Sequence, residues 1–218
     1  MQKGNVGLLP WVGQKYKIGI KGYHSDGTIL YGNESVPGKR LMILGESLYA
    51  TDNDISDNIF TELINAYING EYESASLNRL TKTLTGSPLK LLDSNAKSDI
   101  WSHIMFYHYR QTIFKSSSPQ NYDTNEQSRN VSAFFEIIKE FSPDFIIALG
   151  LRLYHMLPDE NVICIKEIEN EIGDIIEVIC YQINDRPIYL IPMQSIATRI
   201  FSATYWNDFL SIVINQNI

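Results

Sequence analysis

The segment Arg40-Leu41-Met42-Ile43-Leu44-Gly45-Glu46-Ser47-Leu48-Tyr49 decides how this chain is read. Leu41 to Leu44 are apolar without alternation, the mark of a short strand buried on both faces, as in a parallel sheet. Gly45 ends the run, and a carboxylate, a hydroxyl and a phenol follow within four residues. Ligands of open α/β sheets bind beyond the carboxyl ends of the strands, so this polar cluster falls where a site is expected.

Elements of the same kind follow on both sides. Asp144-Phe145-Ile146-Ile147-Ala148-Leu149-Gly150 repeats the pattern of an apolar run closed by glycine. Between the two runs, Asp52-Asn53-Asp54 offers N-cap residues for an amphipathic helix that places Ile55, Ile59, Phe60, Leu63 and Tyr67 on one face and stops at Asn69-Gly70. Glu71 to Leu92 reads as partly helical, broken at Gly86-Ser87-Pro88. The aromatic stretch from Asp99 reads as a helical turn running into an extended segment at Ile104 to Tyr107. After a polar loop from Lys115 to Ser128, residues Val131, Phe134, Phe135, Ile138 and Phe141 recur at helical spacing until Ser142-Pro143.

A short helix about Leu151 to Leu157 and a strand near Val162 to Ile165 come next. Ile175 to Ile183 and Ile188 to Ile191 form a hairpin across Asn184-Asp185. Pro192 to Ser202 reads as a loop, and the last helix buries Trp206, Phe209, Leu210 and Val213. Residues up to about Lys39 read as irregular or weakly β, with strong turn chemistry at Gly22 to Gly27. No repeat or linker divides residues 1–218. The expectation is one α/β domain, a three-layer α/β/α sandwich with a central, mainly parallel four-stranded sheet and an irregular N-terminal extension over about 1–39.

Bulk properties narrow the function classes. A chain of 218 residues with 44% hydrophobic and 20% charged residues is an ordinary globular composition. No apolar run approaches the roughly 20 residues of a membrane helix. The first residues lack the apolar core of a secretory signal, so no membrane and a cytoplasmic location are expected. A net charge of −7 opposes broad affinity for nucleic acid, although Lys3, Lys15, Lys17, Lys21, Lys39 and Arg40 outnumber Asp26 and Glu34 before the first motif. Cys164 and Cys180 lie in strand-like segments without close cysteine or histidine partners, and His103 and His108 lack a carboxylate at ligand spacing. No metal and no cofactor are therefore expected.

Taken in order, the motifs resemble the uracil-DNA glycosylase superfamily. More closely, they are similar to an uncharacterised bacterial branch whose first motif reads approximately Gly-Glu-Ser-His-Tyr. The resemblance rests on five stretches: Leu9-Pro10-Trp11-Val12-Gly13-Gln14-Lys15-Tyr16; Gly45-Glu46-Ser47-Leu48-Tyr49; Trp101 with Tyr109-Arg110-Gln111; Phe141 to Gly150; and Ser202-Ala203-Thr204-Tyr205-Trp206. It implies a parallel four-stranded sheet and a pocket for a base turned out of the nucleic-acid stack. In family terms the first motif orients a water, a residue after the second core strand reads the base, and a histidine in a His-Pro-Ser-like motif stabilises the departing anion.

The chain departs from that pattern. Ser47 stands where the best-known branch has its water-activating aspartate, and Glu46 resembles the glutamate of the Gly-Glu-Ala-Pro-Gly motif of the iron–sulfur branch, whose cysteines are missing here. His108 stands in the place of the base-reading asparagine. Pro192-Met193-Gln194-Ser195 replaces His-Pro-Ser, and losing one such anion donor costs on the order of 100- to 1,000-fold in rate. The resemblance thus implies Glu46 and His108 as catalytic candidates, with Gly45, Ser47, Tyr49, Gln194 and Ser195 contacting a nucleobase, nucleotide or nucleic acid. Efficient uracil excision is not expected. A non-catalytic binding or interaction protein that retains the scaffold is the alternative. Oligomeric state is left open.

Overall fold

The computed structural model describes residues 4–49, 58–86, 92–114, 124–170 and 172–216. In chain order its elements are β1 (Trp11–Val12), β2 (Ile20–Tyr23), β3 (Ile29–Tyr31), β4 (Leu41–Gly45), α1 (Ile59–Asn69), α2 (Ala75–Thr85), α3 (Ser94–His103), β5 (Ile104–His108), α4 (Thr124–Phe141), β6 (Phe145–Leu149), α5 (Leu151–Tyr154), β7 (Val162–Glu169), β8 (Ile175–Ile183), β9 (Arg186–Met193) and α6 (Ala203–Asn215).

The two glycine-closed apolar runs are neighbours. Strand β4 pairs in parallel with β5 on one side and β6 on the other, and β6 pairs in parallel with β9. Their alternate residues feed two cores. Leu41, Ile43, Phe106, Ile147 and Ile191 pack against α1, α2, α3 and α6. Met42, Leu44, Met105, Ile146 and Leu190 pack against α4 and the Leu153 side of α5. Helices therefore cover both faces, which is why the central strands show no polar alternation. Each fully buried aliphatic side chain contributes about 1.5–3 kcal/mol over an exposed one. Among the described residues, side-chain caps start three helices: Ser74 accepts from Leu77 N, Asp93 from Ala96 N, and Ser202 from Tyr205 N.

The sheet is larger than four strands. Its order is β1-β5-β4-β6-β9-β8-β7, so three antiparallel strands flank the parallel four. The hairpin expected across Asn184-Asp185 forms, with both residues at positive φ, 50° and 59°, as a two-residue hairpin turn of the primed kind requires. Strand β7 runs on to Glu169 because Lys166 to Glu169 continue the ladder with β8. Helix α4 begins at Thr124, inside the segment read from sequence as loop. Its first turns carry polar residues turned to solvent, so no apolar period announces them. Pro192 and Met193, read as loop, are the end of β9.

The N-terminal segment is more than an irregular extension. Strand β1 pairs antiparallel with β5, β2 and β3 form a separate hairpin, and Val6, Leu8, Tyr16 and Ile20 are buried in the two cores. The proposed cap Asp52-Asn53-Asp54, Ile55, the Ser87-Pro88 break and Lys115 to Asp123 lie outside the described residues.

Candidate functional site

The parallel register brings the strand ends together. Gly45 of β4 stands beside His108 of β5, Leu44 beside Ala148, and Leu149 of β6 beside Met193 of β9. Backbone bonds continue past the strands. Tyr109 N donates to Gly45 O at 2.8 Å, Arg110 N to Glu46 O at 2.9 Å, Phe114 N to Leu48 O at 2.9 Å, and Gly150 N to Met193 O at 2.7 Å. The segments carrying Glu46 to Tyr49, Arg110, Gly150 and Gln194 thus leave one edge of the sheet with fixed directions.

His108 occupies the edge of the first core. Its ring meets Phe60 of α1 edge-on at 4.5 Å between centroids and Phe106 at 5.1 Å. Only 7% of the residue is exposed, and burial drives its pKa from 6.5 down to about 3. The imidazole is therefore neutral at physiological pH, with one nitrogen a donor and the other an acceptor. The missing side chain of Gly45 makes room for it: a Cβ there would lie 3.1 Å from His108 Cδ2 and 3.1 Å from a ring carbon of Phe106.

Glu46 turns the other way. Its carboxylate forms an ion pair with Arg152 of α5, the helix packed on the second core. Ser47 is half-buried, and its hydroxyl is covered without a hydrogen-bond partner among the described residues. Tyr49 is exposed and tilts against Phe114 at 6.1 Å, and the Arg110 guanidinium lies over that Phe114 ring at 3.9 Å. After β9, the Ser195 carbonyl accepts from Thr198 N and Oγ1, while Arg79 of α2 donates to Ile196 O at 2.9 Å and Thr198 O at 3.0 Å. This pins the loop carrying Gln194 and Ser195, both half-buried. A Cβ on Gly150 would be 3.7 Å from Ser195 Cβ, so the loops after β6 and β9 are in contact.

No protein-family model matches the chain, and no curated protein matches it.

The seven candidate residues share one edge of the sheet, but they do not form one polar cluster. His108 faces the α1 side and Glu46 the α5 side. Met193 is fully buried in the first core, and its side chain offers no hydrogen-bond donor to the edge. Sequence reasoning missed the partners that hold the site. Gln111 donates to His108 O and Tyr109 O, and its Oε1 accepts from Gly7 N at 2.9 Å and Leu8 N at 3.1 Å, tying the N-terminal segment to the end of β5. Asn130 accepts from Gln111 N at 3.0 Å. A polar residue on the otherwise apolar face of α4 was the available signal. Arg110 is buried and pairs with Glu126 at 2.7 Å.

His103 is structural: it stacks on Tyr31 at 4.3 Å and its Nδ1 bonds Asp99 O at 2.7 Å. Among the described residues no three His, Cys, Asp or Glu side chains cluster as metal ligands would. No helix among them is long and apolar enough to cross a membrane.

Proposed function

We propose that this protein binds a nucleobase, free or carried in a nucleotide or nucleic acid, beyond the carboxyl ends of β4, β5, β6 and β9, on a uracil-DNA glycosylase-like scaffold. The observation that carries the reading is His108, a buried and neutral imidazole at the end of the second parallel strand beside the bare Gly45. Such a ring offers one donor and one acceptor to a base edge without the desolvation cost of a charge. The covered Ser47 hydroxyl adds a polar group with no hydrogen-bond partner among the described residues, and exposed Tyr49 presents a ring on which a base can stack.

Binding is favoured over hydrolysis because the Glu46 carboxylate, the candidate for positioning water, is already engaged by Arg152. Met193 supplies no donor for a departing base anion. The test is thermal stabilisation by uracil and other free bases, nucleosides and nucleotides, with release assays on single- and double-stranded oligonucleotides carrying uracil and other lesions. Saturable stabilisation that H108A abolishes, without base release, is the expected result. Release of free uracil at rates typical of glycosylases would overturn the binding-only reading, and no stabilisation by any of these compounds would overturn base recognition itself.

A further inference from the structure

The opposite end of the sheet carries a concave surface. A cleft of about 1170 Å³ is lined by Arg40, just before β4, by Asp144, just before β6, and by Arg186, the first residue of β9. It therefore opens at the amino ends of the parallel strands, about 17 Å along a five-residue strand from the His108 edge. Lys17, Lys21 and Lys39 line it as well, from the loop after β1, from β2 and from the segment before β4.

The charge is concentrated against the grain of the chain. Lys17, Lys21, Lys39, Arg40 and Arg186 face the two acids Glu140 and Asp144, an excess of three positive charges on a protein whose net charge is −7. Asp144 is already spent. It bonds Arg40 Nε at 3.3 Å and Arg186 at 2.8 Å, and it also accepts from Arg40 N at 2.8 Å. The three lysines form no ion pair among the described residues. Tyr16 lines the same cleft, 3% exposed, with a buried hydroxyl that makes no hydrogen bond among the described residues. Mutual repulsion of unpaired lysines is a cost that an anion removes.

The walls are held in place rather than loose. Ile20 N donates to Lys39 O and Lys39 N to Ile20 O, at 2.9 and 2.6 Å, and Gly38 N donates to Ile18 O at 2.7 Å. A Cβ at Gly38 would fall 2.2 Å from Ile20 O, so only glycine permits this crossing of the two basic segments. Exposed Val36 and half-buried Phe141 add an apolar side to the cleft.

We infer that this cleft is a binding site for a phosphorylated small molecule, its phosphoryl group facing Lys17, Lys21 and Lys39 and its apolar body lying against Val36 and Phe141. The volume is close to that of small-molecule pockets, and the acidic remainder of the surface repels a long polyanion, so a nucleic-acid strand is the poorer fit. The site stands independently of base recognition at the other edge.

The test is calorimetric titration of the full chain with inorganic phosphate, pyrophosphate and phenyl phosphate at constant ionic strength. Expected are saturable binding of pyrophosphate and phenyl phosphate, with phenyl phosphate several-fold tighter than inorganic phosphate. Binding should weaken at least tenfold in K17E/K39E, stay within twofold in K166E on the far edge strand, and be unchanged in H108A. K17Q/K39Q, which removes charge without reversing it, should weaken binding in the same direction and serves if the reversal disturbs folding. No saturable binding, binding that neither double variant affects, or binding of a single-stranded oligonucleotide but none of the three phosphates would overturn the inference.

Discussion

His108 should make this fold sensitive to acid in a way that one substitution removes. Its pKa is about 3 in the folded chain against an ordinary 6.5, and the cause is burial between Phe60 and Phe106. Folding therefore favours the neutral ring. Between these two values the unfolded chain holds one more proton at this residue, so stability rises with pH. The contribution is fully present above pH 6.5 and is lost progressively as pH falls toward 3. From about pH 7.5 to about pH 4.5 some two pH units of this window are crossed, which is worth about 2–3 kcal/mol.

Urea denaturation followed by tryptophan fluorescence at the two pH values measures it. Carboxylates and His103, whose pKa burial also lowers, titrate in both proteins, so the comparison is wild type against H108Q. H108Q loses packing against Phe60 and should be less stable at neutral pH, but its decline on acidification should be smaller by about 2–3 kcal/mol. A decline equal to the wild type's within about 0.5 kcal/mol would refute the burial of a neutral imidazole at this edge, and with it the group on which base recognition rests.

Two further outcomes follow from the geometry. G45A introduces a Cβ at 3.1 Å from both His108 and Phe106, so it should cost about 1–3 kcal/mol in chemical denaturation and shift the His108 ring resonances in NMR spectra. Unchanged resonances would show that the two rings do not lie against Gly45. D144A removes the acceptor shared by Arg40 N, the Arg40 side chain and Arg186, and should destabilise by about 2–3 kcal/mol, read as a lower urea midpoint with an unchanged slope.

Much of the fold was legible locally. The unalternating runs at Leu41 to Leu44 and Phe145 to Leu149, the extended stretch after Trp101 and the Asn184-Asp185 hairpin are stated by neighbouring residues, because burial on both faces and a left-handed turn each leave a mark in composition. The start of α4 and the length of β7 were not, since their exposed faces carry polar residues that a loop would carry equally well. The placement of Val6, Leu8 and Ile20 in the cores was hidden for a related reason: short strands and turns in a glycine-rich segment bury single residues without a period.

The sequence by itself determined that Gly45 to Tyr49, His108 and Gln194 come at the ends of strands, because each follows an apolar run that cannot face water. It also carried the basic excess of the first 40 residues. Only the tertiary structure decided what those groups meet. Strand register set His108 beside Gly45 and sent it toward α1, and Arg152, about 100 residues downstream of Glu46, claimed that carboxylate from the other face. Chain crossings at Gly38 and the pairing of Arg40 with Asp144 gathered Lys17, Lys21 and Lys39 around one cleft. Strand formation follows from local periodicity, whereas the partner of a charge depends on contacts between residues far apart in the chain, and no local pattern records those.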